Sequence, residues 1–230
     1  SNRMKRIALI ILRLFWKIPY YLIQLKRLQK VDKFPIEKRY GFINKFLTDV
    51  ARAGRVEIVC TGLEQLPKED GYLMAPNHQG LFDPVIIAVT HKRPTTAVIK
   101  KELLKAPIVK QIAVIDQAQA MDRNDIRGSV KIIRQVTKEL KEGRTYFIFP
   151  EGTRSREGNK MGEFKGGTFK TAVEAKKPIV PVECIDCYKP FDTNTIAKVT
   201  AQVHYLKPIY PEEYEGMSTV DIAKLVQSRI

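Results

Sequence analysis

The chain has 230 residues, 44% of them hydrophobic, which fits one large domain and excludes a disordered chain or a polytopic membrane protein. Its 40 Lys and Arg against 25 Asp and Glu leave a net charge of +15, so the expected partner is anionic: nucleic acid, acidic lipid headgroups or a phosphorylated substrate. Three cysteines (Cys60, Cys184 and Cys187) are an odd count that builds no disulfide framework and fits a reducing compartment.

From Met4 to about Lys30 the chain is apolar with recurring cations. At 100° per residue, Arg6, Arg13, Lys17 and Gln24 fall on one narrow stripe, and Ile, Leu, Phe15, Trp16, Tyr20 and Tyr21 cover the rest. No run of 18 uncharged residues occurs and Pro19 kinks the helix, so a transmembrane span is not expected. No small-residue cleavage site follows, which argues against a cleaved secretory signal. Cations on a polar stripe beside a wide apolar face predict a helix embedded at the bilayer interface. Ile36, Tyr40, Ile43, Leu47 and Val50 then recur at helical spacing, and Gly54 can end that second helix. Residues 1–54 thus read as an amphipathic helix pair on an anionic membrane surface. Removal of residues 4–52 is expected to release the protein from liposomes.

Residues 55–230 read as an α/β domain with a largely parallel, mixed sheet flanked by helices. The expected strands are Arg55–Cys60, Tyr72–Ala75, Ala97–Lys100, Ala113–Asp116, Thr145–Phe149, Ile179–Ile185 and Val199–Leu206, each β-branched or aromatic. Between them, Asp83 is expected to cap a helix over Pro84–His91, and Asn124 one that runs to about Lys141 and stops at Gly143. Ser218–Ile230 reads as a terminal helix. Cys184-x-x-Cys187 lies at a strand and lacks a second ligand pair, so it reads as buried structural thiols.

Two motifs sit at carboxyl ends of strands, where such sheets gather chemistry. In Asn77-His78-Gln79-Gly80-Leu81-Phe82-Asp83, the His and Asp are five apart, about 140° out of phase on a continuous helix. They meet only if the chain turns between them, which Gly80 permits and Asn77 would brace. A carboxylate held there would accept the Nδ1–H of His78 and leave Nε2 free as a general base. No Gly-x-Ser-x-Gly elbow, Walker loop or His-Glu-x-x-His helix occurs, so the base would deprotonate a substrate hydroxyl directly. In Phe149-Pro150-Glu151-Gly152-Thr153-Arg154-Ser155, Gly152 allows close backbone approach and Arg154 can grip a phosphate. Lys100, Lys101, Arg123 and Lys165 are further basic candidates.

These segments resemble the 1-acyl-sn-glycerol-3-phosphate (lysophosphatidate) acyltransferase family in four ordered blocks over about residues 72 to 185. Asn77-His78-x4-Asp83 is similar to the catalytic block. Lys100-Lys101-Glu102-Leu103 running to Met121-Asp122-Arg123 is similar to the second, with Gln119-Ala120-Met121 where a more apolar run is usual. Phe149–Ser155 is similar to the third and Ile179-Val180-Pro181-Val182 to the fourth. The resemblance implies that His78 is the base on the sn-2 hydroxyl of lysophosphatidate and Asp83 its orienting partner. It implies that Arg154, Lys100 and Arg123 bind the acceptor phosphate, with Asn77, Glu151, Gly152 and Thr153 in the same site, and that Pro181 lies near the acyl channel. The implied donor is acyl-CoA or acyl-carrier protein, with no cofactor and no metal. The implied location is the cell membrane, monotopic on its cytoplasmic face. No RNA-binding signature supports a nucleic-acid partner.

Overall fold

The computed structural model describes residues 4–152 and 157–230. Thr153 and Arg154 of the second motif lie outside the described residues. The strands are β1 (Val56–Thr61), β2 (Leu73–Pro76), β3 (Thr95–Lys100), β4 (Gln119–Met121), β5 (Thr145–Phe147), β6 (Ile179–Ile185) and β7 (Val199–Tyr205). They form one sheet in the order β1-β7-β6-β2-β5-β3-β4. Every neighbouring pair is parallel except β6 with β7.

The helices are α1 (Met4–Leu14), α2 (Ile18–Arg27), α3 (Ile36–Ala53), α4 (Phe82–Thr90), α5 (Pro107–Asp116), α6 (Ile126–Lys141), α7 (Lys170–Ala175), α8 (Lys189–Asp192), α9 (Pro211–Tyr214) and α10 (Thr219–Arg229). Strand alternation sorts the core into two layers. Tyr72, Met74, Phe147, Val180 and Val182 face α3 and α4 through Ala51, Phe82, Ile86 and Ile87. Leu73, Ala75, Tyr146 and Ile179 face α6, α7 and α10 through Val136, Leu140, Ala172 and Ile222.

Most strands match their sequence-based expectation to within two residues, but Ala113–Asp116 does not. It is the last turn of α5, and the strand at that edge is Gln119–Met121. Pro107 opens the helix, Ile112 and Ile115 pack against α2 and α3, and Gln117 closes the helix at φ +53°. A run as short as Ala113-Val114-Ile115 carries no sign of its period, and here the flanking cap decides it. The cap of α6 is Asp125, whose carboxylate accepts from the Gly128 N–H at 2.9 Å, and Asn124 instead donates its N–H to Asp122.

The structure gives the N-terminal helices a direction that their periodicity leaves open. The cationic stripe faces the protein and the apolar face points outward. Arg6 is fully buried and donates to Gly54 O (2.6 Å) and Ala197 O (3.1 Å), while Arg13 donates to Ala53 O (3.2 Å). Lys17 pairs with Asp49 at 3.7 Å, and Tyr21 donates to the same carboxylate at 2.5 Å. The cause is the carboxyl end of α3. Its last carbonyls lack intrahelical partners and carry the negative end of the helix dipole, and the guanidinium groups satisfy both. Leu12, Phe15 and Trp16 on the opposite side are 74%, 71% and 75% exposed. Met4–Arg27 is long and apolar enough to cross a bilayer by length and composition. α3 itself is part of the core, through Tyr40, Ile43, Phe46 and Leu47.

Beneath α3, His91 is fully buried between the Tyr72 hydroxyl, 2.6 Å from Nε2, and Arg93 O, 2.7 Å from Nδ1. A carbonyl accepts only, so Nδ1 carries the proton and Nε2 accepts from Tyr72. Burial pushes this imidazole down to about 4, against the Arg93 carbonyl, which favours its charged form. The unfolded chain takes up the proton near pH 6.5, whereas the native site stays neutral to about 4. Stability is therefore complete above about pH 6.5 and falls as pH drops toward 4, by about 3 kcal/mol. Urea unfolding at pH 7 and pH 4.5 checks this: wild type loses more stability on acidification than His91→Gln, and equal losses would refute it.

Candidate active site

The turn after β2 carries His78, and α4 carries Asp83. Nδ1 of His78 lies 2.7 Å from Asp83 Oδ2. That oxygen also accepts the backbone N–H groups of Gln79 (2.5 Å) and Gly80 (2.9 Å), so it acts as an acceptor and fixes the proton of His78 on Nδ1. Asp83 is fully buried while His78 keeps 16% of its side chain exposed, which leaves Nε2 as the ring nitrogen free of the carboxylate. The imidazole stacks on Phe149, with centroids 4.1 Å apart and planes 23° off parallel. Phe149 was expected in β5; the strand ends at Phe147 and Phe149 leaves the sheet to hold the ring.

Asp83 was expected as the cap before Pro84. α4 begins at Phe82, so Asp83 lies within the first turn and its carboxylate reaches back over the turn instead. Gly80 does not adopt a left-handed φ, and a Cβ there would lie 2.4 Å from Asp192 Oδ2, the movable end of a side chain on α8, with the nearest backbone atom at 3.4 Å.

Two expected substrate contacts are braces. Asn77 is buried with both amide atoms on Cys184: Nδ2 donates to its carbonyl (3.0 Å) and Oδ1 accepts its N–H (2.6 Å). Glu151 is buried as well, accepting the His78 N–H on Oε1 and the Gly162 N–H on Oε2, each at 2.6 Å. Burial pushes its carboxyl up, against the two backbone donors. Both residues are committed to backbone groups of the dyad turn and its supports. Glu151→Gln would present an NH2 to one of the two N–H groups that its carboxylate accepts, at a cost of about 1 kcal/mol or more. A drop in melting temperature together with a loss of turnover is expected; a variant that melts like wild type would refute the brace.

His78 opens onto a cavity of about 460 Å³. Ile99, Leu103, Ile133, Ile148 and Phe149 supply apolar walls, with Lys100, Arg123 and Gly152 also in its lining. Gly152 has φ +73°, and a Cβ on it would lie 2.9 Å from Arg123 Nη2 and 3.6 Å from Lys165 Nζ. Three basic candidates from separate segments therefore line or flank one cavity. Pro181 does not join them; it is buried in β6 opposite Ala75, because a residue in mid-strand is held away from the strand-end cavity. Sequence reasoning gave no role to Phe149, or to Gln79. Gln79 accepts the Cys187 N–H (2.8 Å) and donates to Asn159 (2.5 Å), tying the turn to the segment just past β6 and to the loop after the second motif. No spacing rule marks either contact, since the partners lie about seventy or more residues away.

The arrangement is a buried carboxylate orienting an accessible imidazole at the mouth of an apolar cavity rimmed with cations. It suits removal of a proton from a hydroxyl on a molecule with an anionic group and an apolar tail.

Comparison with known proteins agrees with the resemblance seen in the sequence. Residues 57–185 match the family model described as Acyltransferase. A 1-acyl-sn-glycerol-3-phosphate acyltransferase of Borreliella burgdorferi is 30% identical over 174 residues, covering 74% of this chain and 69% of the relative. The protein of that name from Salmonella typhimurium is 34% identical over 139 residues, covering 60% and 56%. The chain thus spans about half to two thirds of the curated relatives it matches. Its fold is shared with the crystal structure of the 1-acyl-sn-glycerophosphate (LPA) acyltransferase PlsC from Thermotoga maritima, at TM-score 0.72 and 23% identity, covering 99% of this chain and 95% of that one.

Proposed function

The chain belongs to the acyltransferase family, and from that premise we propose that it moves an acyl chain from a thioester to the sn-2 hydroxyl of 1-acylglycerol 3-phosphate, giving phosphatidate. The observation that carries this reading is the His78–Asp83 pair, 2.7 Å apart, at the mouth of a cavity that also holds Arg123 and Lys100. His78 Nε2 takes the hydroxyl proton as the oxygen attacks the thioester carbonyl. The Asp83 carboxylate stabilises the imidazolium that forms, and the proton passes to the departing thiolate. A thioester is reactive enough to need no covalent enzyme intermediate, so positioning and charge carry the catalysis.

Arg123, Lys100 and Arg154 bind the acceptor phosphate in this reading, and the apolar walls take an acyl chain. The donor is acyl-CoA or acyl-carrier protein, and no cofactor takes part. The outward apolar face of α1 and α2 lies in the membrane interface. Arg6, Arg13 and Lys17 favour this over a span, since all three are tied to α3 on the body of the protein. The three free cysteines fit the cytoplasmic face.

The test is turnover in vesicles with a panel of acceptors and donors. Lysophosphatidate is expected to give phosphatidate, with glycerol 3-phosphate and lysophosphatidylcholine far poorer. Equal use of either alternative would overturn the acceptor assignment, and comparing acyl-CoA with acyl-carrier protein identifies the donor.

A further inference from the structure

Directly behind the dyad, two cysteines with no part in that reaction face Asp83. Oδ2 of Asp83 is saturated by His78, Gln79 and Gly80, whereas Oδ1 has no hydrogen-bond partner among the described residues. Cys184 at the end of β6 and Cys187 just past it are both 1% exposed, and one ligand atom from each of Asp83, Cys184 and Cys187 lies within 4.8 Å of the others. The left-handed Asp186, φ +61°, turns the chain between the cysteines. The sequence offered only a Cys-x-x-Cys pair without further ligands; α4 supplies the third from a hundred residues away.

We propose that Asp83 Oδ1, Cys184 Sγ and Cys187 Sγ form a site for a thiophilic divalent cation of the zinc and cadmium class, and that loading it slows the dyad. Two sulfurs and one carboxylate oxygen are a borderline-soft donor set that zinc-class ions prefer to magnesium or calcium. In the empty site the Cys184 thiol is held well up by Cys187, by burial and by Asp83. The cation reverses that balance: it forms two metal–sulfur bonds and one metal–oxygen bond, and the two thiol protons leave to solvent. It also meets the carboxylate oxygen that no N–H or O–H group among the described residues satisfies. Charge drawn toward Oδ1 is lost to Oδ2, so Asp83 stabilises the His78 imidazolium less. Entry requires the buried 77–83 turn to open, so loading is expected to be slow.

The binding half stands on geometry alone, while the inhibitory half rests on the proposed acyl transfer. Reduced full-length protein is incubated with Cd2+, freed of excess by gel filtration, and assayed for cadmium per chain, the ultraviolet cadmium–thiolate band and turnover. Wild type and Cys60→Ser are expected to hold one cadmium per chain, show the band and lose turnover, because the carboxylate that orients His78 is shared with the ion. Cys184→Ala and Cys187→Ala should hold none, and Cys187→Ala should keep wild-type turnover with and without cadmium. If either alanine variant fails to fold by circular dichroism, Cys187→Ser, with its weaker oxygen ligand, takes its place. Cadmium retained equally in folded Cys187→Ala, or wild-type protein without the band, overturns the site. Loaded protein with undiminished turnover overturns the inhibition. A wild type inactive on every acceptor but showing the band would instead overturn the acyl-transfer reading and leave the site standing.

Discussion

Replacing His78 with alanine is expected to lower turnover of lysophosphatidate by about 10²- to 10⁴-fold, the range that a positioned general base contributes. The protein should stay folded, because the contacts that build the turn are made by other groups. Asp83 is held by the Gln79 and Gly80 N–H groups, Asn77 by Cys184, and the His78 backbone by Glu151. Asp83→Asn separates charge from shape. Its amide oxygen can still accept those two N–H groups and the His78 proton, and its NH2 would point toward the cysteines. What it loses is the negative charge that stabilises the imidazolium, so turnover should fall by a large factor with little change in acceptor KM. Asp83→Ala also leaves two buried N–H groups unpaired and should melt earlier, by about 1–3 kcal/mol per group. Steady-state kinetics with thermal melts distinguish the three variants. A His78→Ala protein with near-normal turnover would end the mechanism.

Changing Leu12, Phe15 and Trp16 together to serine is expected to release the protein from vesicles without unfolding it. All three are about three-quarters exposed, on the side of α1 and its 3-10 continuation that faces away from the protein. Full burial of each is worth about 1.5–3 kcal/mol. Immersed to half that extent, the three together contribute about 2–4 kcal/mol, or about 30- to 1,000-fold in partition. Deleting residues 4–52 would be a poorer test, because Tyr40, Ile43 and Leu47 of α3 belong to the core. Arg6→Ala is the informative counterpart. It leaves the apolar face intact and strips the Gly54 and Ala197 carbonyls of a buried donor, so it should lower stability more than vesicle affinity. Co-sedimentation with anionic vesicles reads the first effect and chemical denaturation the second. A triple variant that pelleted like wild type would refute the interfacial reading.

Features that depend on near neighbours are legible along the chain. Alternating β-branched runs and capped helices marked the α/β domain, and the His-x4-Asp spacing with Gly80 marked a turn that joins base and carboxylate. Helical periodicity likewise put Arg6, Arg13 and Lys17 on one stripe. Tertiary structure decided what each of these faces. The stripe meets the unsatisfied carbonyls at the end of α3, so the cations turn inward and the apolar face outward, because period is local and partners are not. Glu151 looked like a group for a substrate and is consumed by backbone donors, one of them in a distant segment, while Asn77, readable as a brace of the turn, finds the partner it braces against in β6. Ala113–Asp116 looked like a strand and is the end of a helix, since a short apolar run fits both periods until its packing partners choose. The cysteine pair lacked a third ligand until α4 brought Asp83 against it. In each case the residue type was readable along the chain, and its role followed from a contact made across the sheet or between layers, where sequence distance holds no information.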